Sequence, residues 1–403
     1  MTTPTAATTT APHSATQVLF RTDRATLAHA LTTVGLGLAR RPAVPMLGGV
    51  LLEGRDGDLT LTTTDRDTVA IVRVPGAALT TGRVLIDHTE AIRLLAALVS
   101  GRRKADADTA PVTVSALDDG TAVLELGGYT VPVTSYRPQD FPTLPNTPPV
   151  VAKLDREQFT TDARRVLVAA GTDETVLSCL GVQMQITPGS LTLAGTDRFR
   201  LAIAKRPAST TEERTVRFPA PVLSAALKHV TAPRVHLGVR NDGNQEWVSL
   251  NCGDLTVITR LITAPFPSAE RLFPDAGMTA HADLDALTHA TARAGAALRA
   301  KQYTGTAAHV ALTIDPTGTV SISPVLHRHT DAVTAPAHPA AVDGASEPTR
   351  VLIAAPYLRD ALAAMTGDTA RIQLTSPTHP VLFTGADAPA YRHLVMPVRD
   401  TRS

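Results

Sequence analysis

Apolar positions along this chain change period in a fixed order, and that order occurs three times. Segments 23–38, 154–170 and 284–298 carry apolar residues at helical spacing, and each predicts a helix. A two-strand pattern follows each one, with alternating positions on either side of Gly57, Gly189 or Gly318. A second, shorter helical pattern comes next, over 89–100, 221–230 and 356–365; in the last, Leu358, Leu362 and Met365 share one face. Further alternating runs close each unit, in the first at 112–115, 122–126 and 130–134. Three similar domains, each with two helices packed on antiparallel sheets, make an α+β protein.

The first two units match residue on residue. A shift of 132 lays 49–72 on 181–204 without a gap, with 11 of 24 positions identical. Composition alone would give about two or three. Thr64-Asp65-Arg66 falls on Thr196-Asp197-Arg198. The third copy, 309–323, keeps the hairpin pattern, with Val320 and Ile322 alternating after Gly318. Units of about 125–135 residues are far longer than solenoid repeats and read as domains. We place them at 18–150, 151–276 and 277–403, after a disordered arm at 1–17 whose Thr/Ala/Pro bias builds no core. The boundaries fall in proline-rich stretches, 138–150 and 265–277. Segment 327–350, rich in Ala, Pro and His, predicts a long surface loop.

Charge narrows the partners. With 38 basic and 37 acidic residues the net charge is +1, so any surface for nucleic acid must be local. Cys179 and Cys252 exclude a disulfide framework and a cysteine-rich metal site. No run approaches the roughly 18 apolar residues that cross a membrane, and the first residues lack the regions of a secretory signal. A cytoplasmic location without a membrane partner is expected. The motifs G-x-x-x-x-G-K-[ST], G-x-S-x-G, H-E-x-x-H and C-x-x-C are absent, so no catalytic residue, cofactor or metal is expected. His327, His329 and His338 have no acidic or thiolate company and read as exposed loop histidines. Asp65 and Asp197 occupy equivalent positions, where a carboxylate closing a strand turn explains the duplication better than catalysis.

Five stretches occur in a telling order: RRPAVPMLGGVLLEG (40–54), SYRPQDFPTLP (135–145), AGTDRFRLAIA (194–204), FPSAERLFP (266–274) and, toward residue 399, HPVLFTGAD with YRHLVMPVR. They resemble the bacterial DNA polymerase III beta subunit, the sliding clamp, and TDRFRLA and the ending resemble its actinobacterial versions. The resemblance spans about residues 18 to 399. It implies the DNA clamp fold, with two protomers closing head to tail into a ring around duplex DNA. The ring would tether the replicative polymerase as a processivity factor and catalyse nothing.

The resemblance also assigns residues. A pocket for partner peptides falls on Cys179, Thr196, Arg198, Phe199, Arg200, Leu201, Pro267, Leu272, Leu394, Met396, Pro397, Val398 and Arg399. Aliphatic, thioether and proline walls flanked by arginine stems suit such a groove; composition alone favours strand core for Leu201 and Met396, and the matched order of motifs favours the groove. Nonspecific contacts to the DNA backbone are expected from Arg41, Arg93, Arg103, Arg164, Arg165, Lys228, Arg293 and Arg299. At the joint of a homodimer, Val131 and Val133 would face Ala297 and Leu298 of the neighbour. Implied partners are the polymerase III alpha subunit, the clamp loader and other clamp-binding peptides.

Two positions depart from the family. Cys179 stands where its members usually carry leucine, and Asp400 follows Arg399 where they usually end on an apolar residue. These departures raise a second reading, a specialised extra clamp that works when an inhibitor occupies the ordinary one or that serves a repair polymerase. An enzyme on a similar repeat is the third, and no motif supports it.

Overall fold

The computed structural model describes residues 16–39, 41–117, 121–173, 175–243, 245–267, 273–274, 277–326, 333–385 and 388–399. The arm up to residue 15, Leu272, His327, His329 and Asp400 lie outside the described residues.

The threefold order of elements is present and starts from a repeated cap. The helices Arg24–Val34, Arg156–Leu167 and Leu284–Ala300 each follow an aspartate. Asp23, Asp155 and Asp283 accept the backbone N–H of Thr26, Gln158 and Ala286 respectively, satisfying a donor that the first turn leaves free. The paired strands follow: Gly49–Arg55 with Asp58–Thr64, Gly181–Thr187 with Ser190–Thr196, and His309–Asp315 with Thr319–Pro324. The second helices are His88–Ala97, Ala220–Ala226 and Ala355–Ala363.

Helix and sheet approach closely through glycine, from opposite sides in the first two repeats. A Cβ on Gly37, just after the first helix, would lie 2.7 Å from the Thr63 carbonyl. In the second repeat the glycine is on the strand: a Cβ on Gly195 would lie 2.7 Å from the Val166 carbonyl.

The chain divides into two compact units. One comprises Met1–Pro149 with Lys228–Arg260, the other Val150–Leu227 with Leu261–Ser403. In the first, Thr16–Asp23, Pro111–Leu117, Ala122–Leu126 and Tyr129–Val133 form a four-stranded sheet in that order. In the second, twelve strands form one sheet. The middle repeat contributes to both units because sheets run through repeat boundaries. Leu255–Arg260 pairs with Thr68–Val74, and Ala388–Val395 pairs with Arg200–Pro207. The division at 150 and 276 therefore stays a reading of the repeat, beside a compact partition that divides the middle repeat between the two units.

Three elements differ from the sequence expectation. A short helix, Lys104–Asp108, has no counterpart in the periodicity of the other repeats. Within the segment expected to be a surface loop, Ala337–Asp343 is a strand, and His338 is half-buried opposite Val320. Ala and Pro mask the alternation there. Val133 and Leu298, expected to face a neighbour, are buried at 4% and 0% exposure. Leu298 packs in the third repeat's core with Leu287, Leu312, Leu358 and Phe383. Among the described residues no helix is long and apolar enough to cross a membrane.

Candidate functional site

A tight turn anchors the residues assigned to the partner pocket. Asp197 accepts the backbone N–H of Phe199 and of Arg200 on Oδ1, each at 3.0 Å. The Thr196 hydroxyl donates to the Arg200 carbonyl at 2.7 Å and accepts the Arg198 N–H at 3.1 Å. Arg198 takes φ +78°, a left-handed conformation that these bonds hold in place. The first repeat makes the same turn: Asp65 Oδ1 accepts from Asp67 and Thr68, Thr64 donates to the Thr68 carbonyl, and Arg66 has φ +83°. The duplicated aspartates close strand turns.

The turn fixes one cation and leaves two groups exposed. Arg200 pairs with Asp197 at 2.9 Å and Asp360 at 2.7 Å, and its guanidinium lies 4.5 Å from the Tyr357 ring centre. Burial first, then the neighbouring Asp197, pushes the Tyr357 phenol up. Phe199 is 54% exposed, with Arg198 over its ring at 5.8 Å.

The strand joint beneath supplies a floor. Leu201 stands opposite Leu394, and both are buried with Leu382 against Ile203, Phe266 and Phe273. Cys179 and Thr196 are buried too. These side chains support the surface and do not line it, which corrects the expectation for Leu201, Leu394 and Cys179. The chain after the joint is pinned by Met396 N–H to the Phe199 carbonyl and by Val398 N–H to the Leu352 carbonyl, both 2.8 Å. Val398 packs on Ala311, Val325 and Leu352. Phe199, Pro267 and Arg399 remain exposed, and Met396 and Pro397 are half-buried. With exposed Arg198 and half-buried Arg200 and Val398, they form the accessible part of the assigned set.

Sequence reasoning missed a buried arginine beside Cys179. Arg217 is 5% exposed; Nη2 donates to the carbonyls of Leu177 at 2.9 Å and Ser178 at 3.0 Å. Its Nε and Nη1 have no hydrogen-bond partner among the described residues, and burial pulls its pKa down from the usual arginine range. The sequence carried no signal for it: Arg217 alternates with Val216 and Phe218 in the strand Arg214–Pro219, the ordinary pattern of an outward-facing position. An apolar cleft of about 740 Å³ opens beside the same turn, lined by Leu167, Thr172, Leu177, Leu180, Pro221 and Ile262. None of these was assigned.

Of the basic residues expected to meet DNA, Arg41, Arg93, Arg103, Arg164, Lys228, Arg293 and Arg299 are exposed. Arg164 also donates to the Leu227 carbonyl at 3.3 Å. Arg165 departs from that set. Its side chain is 12% exposed, sits 3.7 Å from buried Asp162 and lies over the Tyr391 ring. Asp162 draws it inward together with Arg206, which pairs at 2.7 Å. At the expected dimer joint, Val131 is half-buried and Ala297 exposed, and Tyr129, which was not assigned, is 62% exposed on the last strand of its sheet. No group of three or more His, Cys, Asp or Glu capable of holding a metal occurs among the described residues.

Comparisons with known proteins agree on one family. Residues 18–145 match the model of the DNA polymerase III beta subunit, N-terminal domain, and residues 153–268 match the central domain. The beta sliding clamp of Streptomyces coelicolor is 28% identical over 396 residues, covering 94% of this chain and 98% of that protein. A beta sliding clamp homolog of Streptomyces muensis, GriR, is 29% identical over 262 residues, 63% of this chain and 66% of that protein. Among solved structures, the DNA polymerase sliding clamp of Bacillus subtilis superimposes with a TM-score of 0.84 at 18% identity, covering 95% of this chain and 99% of that one.

Proposed function

Because this chain belongs to the DNA polymerase III beta subunit family, we propose that it works as a sliding clamp. Two copies close head to tail around duplex DNA and tether the replicative polymerase to its template. The observation that carries this reading is a similarity running almost end to end in both this chain and the Streptomyces coelicolor clamp. The protein is a non-catalytic processivity subunit and acts in the cytoplasm, where the chromosome is copied.

The seven exposed basic residues contact the phosphate backbone without reading sequence. Partner peptides from the polymerase alpha subunit and the clamp loader enter over Phe199, Pro267, Met396 and Pro397, with Arg198 and Arg399 at the rim. The test is topological. A ring loaded on nicked circular DNA should stay through gel filtration and leave when the DNA is linearised. Equal retention on linear DNA with free ends, or preference for one sequence, would overturn the reading.

A second reading is favoured by the similarity to a clamp homolog and by buried Cys179, which would act on the partner surface from beneath it. A small thiol stands beside the turn whose carbonyls hold the buried Arg217. The chain is then a specialised extra clamp with an altered partner surface, able to work when a small molecule occupies the ordinary one. Parallel titrations of one inhibitor against this protein and the ordinary clamp of the same cell decide; equal affinities remove the specialised role and leave the clamp intact.

A further inference from the structure

The apolar cleft beside the Leu177–Cys179 turn shares no residue with the assigned groove, yet both lie in the same compact unit. None of the side chains lining the cleft is charged. Leu167, Leu180 and Ile262 are half-buried there, and Leu177 is 58% exposed. A volume of about 740 Å³ is that of a binding pocket and not of a packing gap. Apolar surface gathered in one cleft marks a place where another molecule displaces water.

One wall separates the cleft from the groove. Leu177 lines the cleft, and two residues on, Cys179 belongs to the assigned groove set. Gly171, in the cleft, donates its N–H to the carbonyls of Cys179 at 2.8 Å and Thr196 at 3.2 Å. The cleft is thereby bonded to the base of the Asp197 turn that presents Phe199. Arg217 braces the wall from within: it donates to the Leu177 and Ser178 carbonyls and lies 5.9 Å from the ring centre of Phe266, in the groove's floor. The chain itself joins the two places. Ile262 lines the cleft and exposed Pro267 belongs to the groove, five residues and at most about 18 Å away.

We propose that the cleft is a second anchor site for the same partner chain whose first anchors fill the groove. An extended segment crosses the Leu177–Cys179 wall and seats one large apolar side chain, aliphatic or aromatic, against Leu167, Leu177, Leu180 and Ile262. The inference rests on the clamp reading and deepens it, adding a site that distinguishes among partners by what flanks their groove-binding residues. About five extended residues cover the span between the anchors. An aromatic side chain buries about 150–250 Å², so the cleft has room for one with its adjoining backbone. A phosphate backbone would meet no cation on this lining, which argues for a peptide over DNA.

Two polymerase-derived peptides test this, a short one that carries the groove anchors alone and a long one extended by about eight natural residues at each end. The long peptide should bind wild type about tenfold more tightly. Leu177→Asp should remove that advantage and leave the short peptide within twofold of wild type, whereas Met396→Ala should weaken both. Circular dichroism confirms that the variants fold. As a second measurement, Leu177→Cys labelled with a benzophenone should cross-link on irradiation to the long peptide, about five residues outside the groove anchors. Equal affinity of the two peptides for wild type, or an equal loss of both in Leu177→Asp, overturns the second anchor and leaves the groove standing. Cross-linking of the labelled protein to DNA or to a second copy in place of the peptide overturns the occupant. If Met396→Ala binds both peptides like wild type, the groove is overturned and the second anchor with it.

Discussion

Arg200 donates to Asp360 at 2.7 Å, tying the strand that leaves the Asp197 turn to the Ala355–Ala363 helix. The two side chains are 12% and 21% exposed, so solvent screens the pair less than an ion pair on the surface. Asp360→Asn should lower stability to urea by about 1–3 kcal/mol, because a half-buried guanidinium loses one of its two carboxylates. Arg198→Ala, at an exposed position, should change it by less than about 0.5 kcal/mol. Equal effects would mean that the Asp197 turn alone holds Arg200.

Met396 sits half-buried beside Phe199, at the accessible edge of the assigned groove. A few interface residues carry most of a binding energy, so Met396→Ala should weaken a polymerase-derived peptide by about 1–2 kcal/mol, roughly five- to thirtyfold. Arg164→Ala should leave peptide affinity unchanged. Fluorescence titration of both variants against one labelled peptide checks this, and wild-type affinity in Met396→Ala would move the groove elsewhere.

Cys179 is buried, and a Cβ on Gly171 would lie 2.8 Å from its Cβ. Placing the larger leucine there therefore adds volume to a filled space. Cys179→Leu should cost about 1–3 kcal/mol of stability through overpacking. Peptide affinity measured beside thermal unfolding tells packing from contact: a tighter peptide with unchanged stability would mean that the side chain reaches the surface.

His393 is fully buried, and desolvation first, then the charge of Arg200, pulls its pKa down to about 3. The unfolded chain takes up this proton near the ordinary pH 6.5, whereas the folded protein resists it until about pH 3. The folded state thus has its full advantage above pH 6.5 and loses it progressively as the pH falls toward 3. Buried His88, lowered chiefly by desolvation, acts with the same sign. Urea unfolding at pH 7.5 and 5.5 should show a loss at the lower pH, and His393→Gln should shrink it. An undiminished loss in the variant would assign the slope to other groups.

Gly195 and Gly189 test two different uses of glycine. A Cβ on Gly195 meets backbone, 2.7 Å from the Val166 carbonyl, so Gly195→Ala must push the Arg156–Leu167 helix off the sheet. Gly189 has φ +76° and open space around it, so alanine there brings only backbone strain. Thermal unfolding should place the first variant about 1–3 kcal/mol below wild type and the second about 1 kcal/mol below.

The sequence by itself determined the repeat and the local devices that build it. A shift of 132 predicted equivalent hairpins, and the twin turns at Asp65 and Asp197 have matching hydrogen bonds because an aspartate followed by a left-handed arginine is a local arrangement. Family motifs likewise pointed to the clamp fold. Only the tertiary structure decided which residues remain accessible. Alternation says that Leu201, Leu394 and Val133 share faces with their neighbours two positions away, but not which face another element covers. Leu201 and Leu394 are buried because strands almost 200 residues apart pair there. Arg165 turns inward because Asp162 is buried beside it, and Arg217 is enclosed by the Leu177–Cys179 turn. Burial depends on contacts between distant segments, and local periodicity carries no record of them.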